Sequence, residues 1–368
     1  MVFTLITLKW YSRPPSFPIA SLIKGTLYMP SLDIVSKTTF KEVITSVELV
    51  DLNNDGRSNI VVTTLNGDVR VYDYQRDEKK PFSEICRLDG LPPLAAIGVG
   101  DVTGDGVPDF VMGGLDNTMR VLVYLDETIS VKASSPLGNL PTAIAVLNVL
   151  DDERAEVIVS TNDGSLRCYG WYDVALDKLA HKVLDRPVFS IWPLATRGMP
   201  YSRFVFGDDS GYFFIYQYAD DRLHERVKIS VGGEVGLIST GDITEDHNSE
   251  VLTVSDGRTL SLYGFVKGSM EKIDSIKAPK PVSAIRMGRF WELNPARGQI
   301  IVSHANSSIA MLSVMGRRLV EEAVIKTAKK ATESAISIGD VDGNGRNEIV
   351  QAVGNNLYVI DFKEDLVI

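Results

Sequence analysis

Apolar and polar positions alternate along this chain at strand period rather than helix period, and the alternation is repeated. One unit reads "ITSVELVDL" from Ile44, then "NIVVTTL" from Asn59, "DVRVYDY" from Asp68 and "SEICRLDG" from Ser83. It comprises an apolar strand, a β-branched second strand, a third strand with an aromatic end and a more polar fourth. Period-2 runs bounded by Asn, Asp, Gly and Ser are the pattern of short β-strands. Taking Asp51 as anchor, the equivalent positions are Asp101, Asn148, Leu194, Asp242, Arg289 and Asp340, at steps of about 50, 47, 46, 48, 47 and 51 residues. Seven three- or four-stranded units at this period predict an all-β, seven-bladed β-propeller. No long amphipathic helical pattern competes. The dipeptides Asn66-Gly67, Asp163-Gly164 and Asp256-Gly257 predict two-residue hairpin turns between second and third strands.

The last unit ends at "NLYVIDF" with little left for a fourth strand, while "LDIVSKTTF" from Leu32 has the spacing of an outer strand. The N-terminal segment is therefore expected to complete the last blade and close the ring, leaving no open sheet edge between the chain ends. Residues 31–368 form one propeller domain on this reading. Residues 1–30 are an extension, disordered or mis-started, because Lys9, Trp10, Arg13 and Pro14-Pro15 interrupt the apolar start and make a poor signal peptide.

Composition narrows the function classes. With 38 basic and 48 acidic residues the net charge is −10, which repels nucleic acid and anionic membrane surfaces. No apolar window is long enough for a membrane helix. Two cysteines, Cys86 and Cys168, provide neither a disulfide framework nor a zinc site. The four histidines fall in different units without a surrounding motif, and no glycine-rich phosphate loop appears, so a non-enzymatic protein is expected.

The distinctive chemistry lies after the first strands. "DLNNDGRSNI", "DVTGDGVPDF" and "DVDGNGRNEI" place oxygen-bearing side chains at alternate positions around a glycine. Six to eight oxygens converging on one point suit Ca²⁺. The ligand sets are Asp51, Asn53, Asp55 and Asn59; Asp101, Thr103, Asp105 and Asp109; and Asp340, Asp342, Asn344 and Glu348. The carbonyls of Arg57, Val107 and Arg346 are expected to contribute at position 7. Two or three ions are expected, bound more tightly at the second and third loops, which carry three carboxylates each. The unit at Asn148 keeps Asp152 and Glu156 but has Leu150 and Glu153 at positions 3 and 6; the unit at Asp242 keeps its oxygens but has His247 for the glycine.

This motif, strand, D-x-[DNT]-x-[DN]-G-x-x-[DNE], strand, resembles the FG-GAP repeat family typified by the integrin α-chain propeller, over about residues 31–368. The resemblance implies Ca²⁺ in the loops joining first and second strands, on the lower rim. The Phe-Gly and Gly-Ala-Pro signatures are eroded, and integrin's leg domains and membrane span are absent, so an adhesion role does not transfer. The compact plan is more similar to intracellular FG-GAP proteins that serve in signalling or trafficking complexes.

Units four and six replace the acidic loop with "PLATRGMPYSRF" and "RFWELNPARGQ", putting Arg197, Tyr201, Arg203, Trp291 and Arg297 on or near that rim as candidate partner-binding residues. The reading taken is a calcium-binding scaffold for a protein partner. A carbohydrate-binding propeller and a propeller hydrolase or lyase stand as alternatives. Calcium loops suit extracellular Ca²⁺, whereas the poor signal peptide and free cysteines suit the cytosol. The cytosol is preferred.

Overall fold

The computed structural model describes residues 21–23, 26–197, 203–289, 298–328 and 334–367. It consists of seven antiparallel sheets, each ordered from first to last strand, as the repeat predicts. Blade 1 runs Ile44–Val50, Asn59–Thr64, Val69–Tyr74 and Phe82–Leu88. Blade 7 runs Ser334–Gly339, Glu348–Val353 and Asn356–Val367. Its fourth strand comes from the opposite end of the chain: Thr26–Thr39 pairs antiparallel with Asn356–Val367, from Leu27 opposite Val367 to Thr39 opposite Asn356. The ring is thus closed by the N-terminal segment.

The paired segment starts upstream of the expected boundary at residue 31. The closing strand begins at Thr26, and Ser21–Ile23 adds a short fifth strand to it. The last strand of the chain is long, and its ladder extends to Val367, so more of the N-terminal segment finds backbone partners than apolar spacing revealed. In blade 4 the first strand shrinks to Ile191–Pro193, where proline ends the ladder. The hairpins also differ from expectation. At Asn66-Gly67 the loop has three residues, with Gly67 N–H donating to Thr64 C=O and Thr64 N–H to Asp68 C=O. The two-residue turns with paired left-handed residues fall instead between third and fourth strands, at Asp126-Glu127, Asp220-Asp221 and Lys267-Gly268.

Seven apolar clusters make the core, and each one lies between two consecutive blades. Ile60 and Val62 of blade 1, for example, pack with Val350 and Val359 of blade 7, and Val61 and Val71 pack with Phe110 and Leu122 of blade 2. The second strands are buried along their whole length in blades 1, 2, 3, 5, 6 and 7. Each carries a short apolar run, such as Ile60 to Val62, because a neighbouring blade covers each face, alongside buried polar residues such as Thr63 and Gln351. No blade buries its core alone; each core is completed by the neighbouring blades.

Candidate functional site

In blades 1, 2, 3, 5 and 7 the first strand runs into the acidic loop or its eroded form at one rim, and the hairpins between third and fourth strands lie at the same end because third strands run parallel to first. Within the loops, positions 4 and 6 take left-handed backbone: Asn54 and Gly56, Gly104 and Gly106, Glu245 and His247, Gly343 and Gly345. That conformation turns successive N–H groups inward, where the position-1 carboxylate collects them. In blade 2, Asp101 accepts from Gly104, Asp105 and Gly106 at 2.7, 3.2 and 2.9 Å. Asp340 does the same for Gly343, Asn344 and Gly345.

Position 9 has an architectural role that the ligand reading missed. Asn59, Asp109, Glu156, Glu250 and Glu348 are all buried. Each accepts the N–H of position 2: Leu52, Val102, Val149, Ile243 and Val341, at 2.7 to 3.1 Å. Retention of Glu156 in a unit that has lost position 3 to Leu150 and its glycine to Glu153 was the sequence signal for this role. Burial pushes the carboxyl of Asp109 up to about 6 and those of Glu250 and Glu348 up to about 7.

The loops are also joined to one another. The N–H just before a second strand donates to the preceding loop: Ser58 to Asp340 C=O at 2.6 Å, Ala155 to Asp101 at 2.7 Å, Ser249 to Ala195 at 2.8 Å and Gly298 to Ile243 at 3.0 Å. Between blades 6 and 7 the side chain of Asn347 donates to Arg289 C=O. Blade 2 has Pro108 at this position, which has no N–H, so it cannot make the equivalent bond to blade 1. Arginines overlie the neighbouring glycines: a Cβ on Gly343 would lie 2.5 Å from Arg57 Cδ, and one on Gly104 2.8 Å from Arg154 Cγ.

The three predicted ligand sets differ in how far their oxygens converge. In the first loop they are engaged internally: Asp55 Oδ2 takes the Arg57 guanidinium at 2.9 Å and the Asn53 amide at 3.1 Å, and Asn59 Nδ2 donates to Asp73. In the second, Asp105 accepts Val107 N–H, while Thr103 N–H donates to Asp109. In the third, Arg346 N–H donates to Asn344 Oδ1. Among the described residues, only Asp340, Asp342 and Glu348 bring three carboxylates within 4.8 Å of one another. Arg76, which follows the third strand of blade 1, reaches into this group. It pairs with Asp342 at 2.7 Å, Glu348 at 3.2 Å and Asp361 at 2.7 Å, joining blade 1 to blade 7 at the closing seam. Arg76 carries no loop motif, so sequence spacing could not find it.

Of the docking candidates, Arg197 is exposed, with its N–H on Asn248 Oδ1. Arg203 is half-buried at the start of its strand, its C=O accepting Leu194 N–H. Tyr201, Trp291 and Arg297 lie outside the described residues. Among the described residues, the same rim exposes the apolar side chains of Leu150, at position 3 of the eroded loop, and of Leu125, Tyr172 and Val174, the last three not singled out by the sequence. Val43, Leu65 and Leu115 are exposed at the opposite end. Among the described residues, no helix is long and apolar enough to cross a membrane.

Comparison with known proteins agrees with this architecture. No curated protein matches the sequence. Similar solved structures include BBS1N in complex with ARL6DN, soaked with mercury (TM-score 0.67, 12% identity, covering 90% of this chain and 96% of that one). The same complex soaked with lead gives a TM-score of 0.64 at 12% identity, covering 91% and 96%. Such identity establishes a shared fold. Residues 51–112, the first acidic loop through the second strand of blade 2, match the FG-GAP-like repeat, so the chain is a seven-bladed β-propeller with an FG-GAP-like match over that stretch.

Proposed function

We propose that this propeller is a non-enzymatic scaffold that docks a protein partner on its acidic-loop rim and holds Ca²⁺ there. The observation that carries the docking reading is the exposed apolar set Leu125, Leu150, Tyr172 and Val174, borne by blades 2 and 3 on a rim whose loops are hydrogen-bonded to their neighbours. A surface already fixed in shape loses little entropy on binding, and exposed aromatic and apolar side chains among polar loops are what interfaces bury. BBS1N, which shares the fold, was solved bound to ARL6DN; that likeness supports the class of activity and carries no partner across.

The residues that fit Ca²⁺ best are Asp340, Asp342 and Glu348, whose carboxylate oxygens converge as a hard cation requires. Because Asp342 and Glu348 also hold Arg76, an ion would share those oxygens with the guanidinium. Bound there, Ca²⁺ would neutralise the cluster and tie the loop to the second strand of blade 7.

The docking reading is tested by affinity purification from the native host with wild type and the double variant Tyr172→Ser, Val174→Ser. A partner retained by wild type should be lost from the variant at unchanged melting temperature, since hot-spot truncations cost about 2 kcal/mol or more. Equal recovery would place the interface elsewhere.

A further inference from the structure

At the ring axis, residues at the first strands of blades 1, 2, 3, 4 and 6 line an open pocket of about 360 Å³, whose walls include Ile97, Ala143, Phe189 and Trp192. Two charged side chains enter it. Glu48 of blade 1 and Arg286 of blade 6 both stand three residues before the loop anchor of their unit. The equivalent positions elsewhere are Gly98, Ala145, Ile191, Ser239 and Ser337, none of them charged. Arg286 is therefore the one basic residue in this layer of the repeat.

Its guanidinium is positioned but incompletely used. It stacks 4.8 Å from the Trp192 ring centroid. Nη1 donates to the C=O of Ile285 at 3.2 Å, and Nη2 reaches Glu48 Oε1 at 3.5 Å, a long contact for a charge-assisted pair. Arginine has five N–H donors in a planar fork. About a quarter of each side chain remains accessible, 25% for Arg286 and 23% for Glu48, so donors face the cavity. Burial of Glu48 raises its carboxyl above the ordinary range, against the opposing pull of Arg286.

We propose that the axial cavity binds a small monocarboxylate with an apolar, aryl-sized body, its carboxylate taken by the Arg286 fork in competition with Glu48. The charge inventory selects this class. One guanidinium matches a single carboxylate, which would take the place of Glu48 as its partner, whereas a phosphate dianion would need further cations. Planar bidentate recognition favours a carboxylate, and the Ile97, Phe189 and Trp192 side chains in a mixed lining favour a hydrocarbon body, in a volume within the usual range for small-molecule sites. This site shares no residue with the rim and does not depend on the docking reading.

The test uses the full-length protein with benzoate as probe and benzyl alcohol as uncharged control, read by ligand-observed NMR and by tryptophan fluorescence in wild type and Trp192→Phe. Saturable benzoate binding is expected, with benzyl alcohol weaker by about tenfold or more, as for a lost hydrogen bond to a charged group. Arg286→Gln should lose benzoate by a similar factor. Glu48→Gln, which removes the competing carboxylate, should bind it several-fold more tightly, an outcome that a purely structural ion pair would not produce. Should Arg286→Gln fail to fold, Arg286→Lys is read instead and should bind more weakly, since an ammonium cannot form the fork. Failure of both wild type and Glu48→Gln to bind benzoate would overturn the proposal. So would undiminished binding by a folded Arg286 variant.

Discussion

His247 occupies a glycine's place. At φ +68° it keeps the loop closed, with its N–H on Asp242 Oδ2 at 3.0 Å. A side chain in the left-handed region costs roughly 1–2 kcal/mol, partly offset by the chain entropy glycine would add. His247→Gly is therefore expected to raise stability by up to about 1 kcal/mol in denaturant unfolding; a loss would show that the imidazole makes a stabilising contact. The buried acids set a pH dependence. Asp109, Glu250 and Glu348 are raised to about 6, 7 and 7, above the unfolded carboxylate range. The folded state thus retains protons that the unfolded chain releases. The stability from these groups is full below the unfolded values and is lost as pH rises through the folded ones. In chelator the melting temperature should fall between about pH 5 and about pH 8, and Glu250→Gln should remove part of the slope. A rise over that window would mean that these carboxylates are ionised in the fold.

At the scale of the element, the closing strand is the decisive piece. Thr26–Thr39 supplies the outer strand of blade 7, and Ser36 Oγ also hydrogen-bonds Tyr74 Oη of blade 1 at 2.7 Å. Deleting residues 1–20 should leave the melting temperature nearly unchanged. Deleting through Thr39 should expose the edge of Asn356–Val367 and produce aggregation, measured by light scattering. Equal melting of the two truncations would deny the strand its role. The seam has a second fastening in Arg76, whose three acidic partners are all on blade 7.

For the whole molecule, Arg76 and Ca²⁺ draw on the same carboxylates, so their effects are coupled. Arg76→Ala leaves Asp342, Glu348 and Asp361 without their guanidinium. It should lower the melting temperature in chelator and enlarge the gain from added Ca²⁺. An ion bound only by the folded ring stabilises it by about 2.7 kcal/mol at a hundredfold excess over its dissociation constant. Differential scanning calorimetry of both proteins, with and without Ca²⁺, measures this. A variant as indifferent to Ca²⁺ as to chelator would leave the acidic loops as turns held by their own N–H groups.

The sequence by itself determined the fold, because a repeated unit that cannot bury its core alone leaves few architectures open, and the spacing of the Asp51, Asp101 and Asp340 loops fixed the period. It also determined the closing strand, since "LDIVSKTTF" matched what the last unit lacked. The turn geometry at Asn66-Gly67 was not legible, because loop length depends on the register of the two strands and not on the dipeptide. Only the tertiary structure decided the use of the acidic side chains. The same spelling surrounds Asp55 with Arg57 and Asn53 in the first loop and brings Asp340, Asp342 and Glu348 together in the third. Which outcome a loop adopts depends in part on neighbours remote in sequence, such as Arg76 beside Glu348 or Glu48 opposite Arg286. Charges that meet across blades carry no local signal, because the ring, not the chain order, sets their distance.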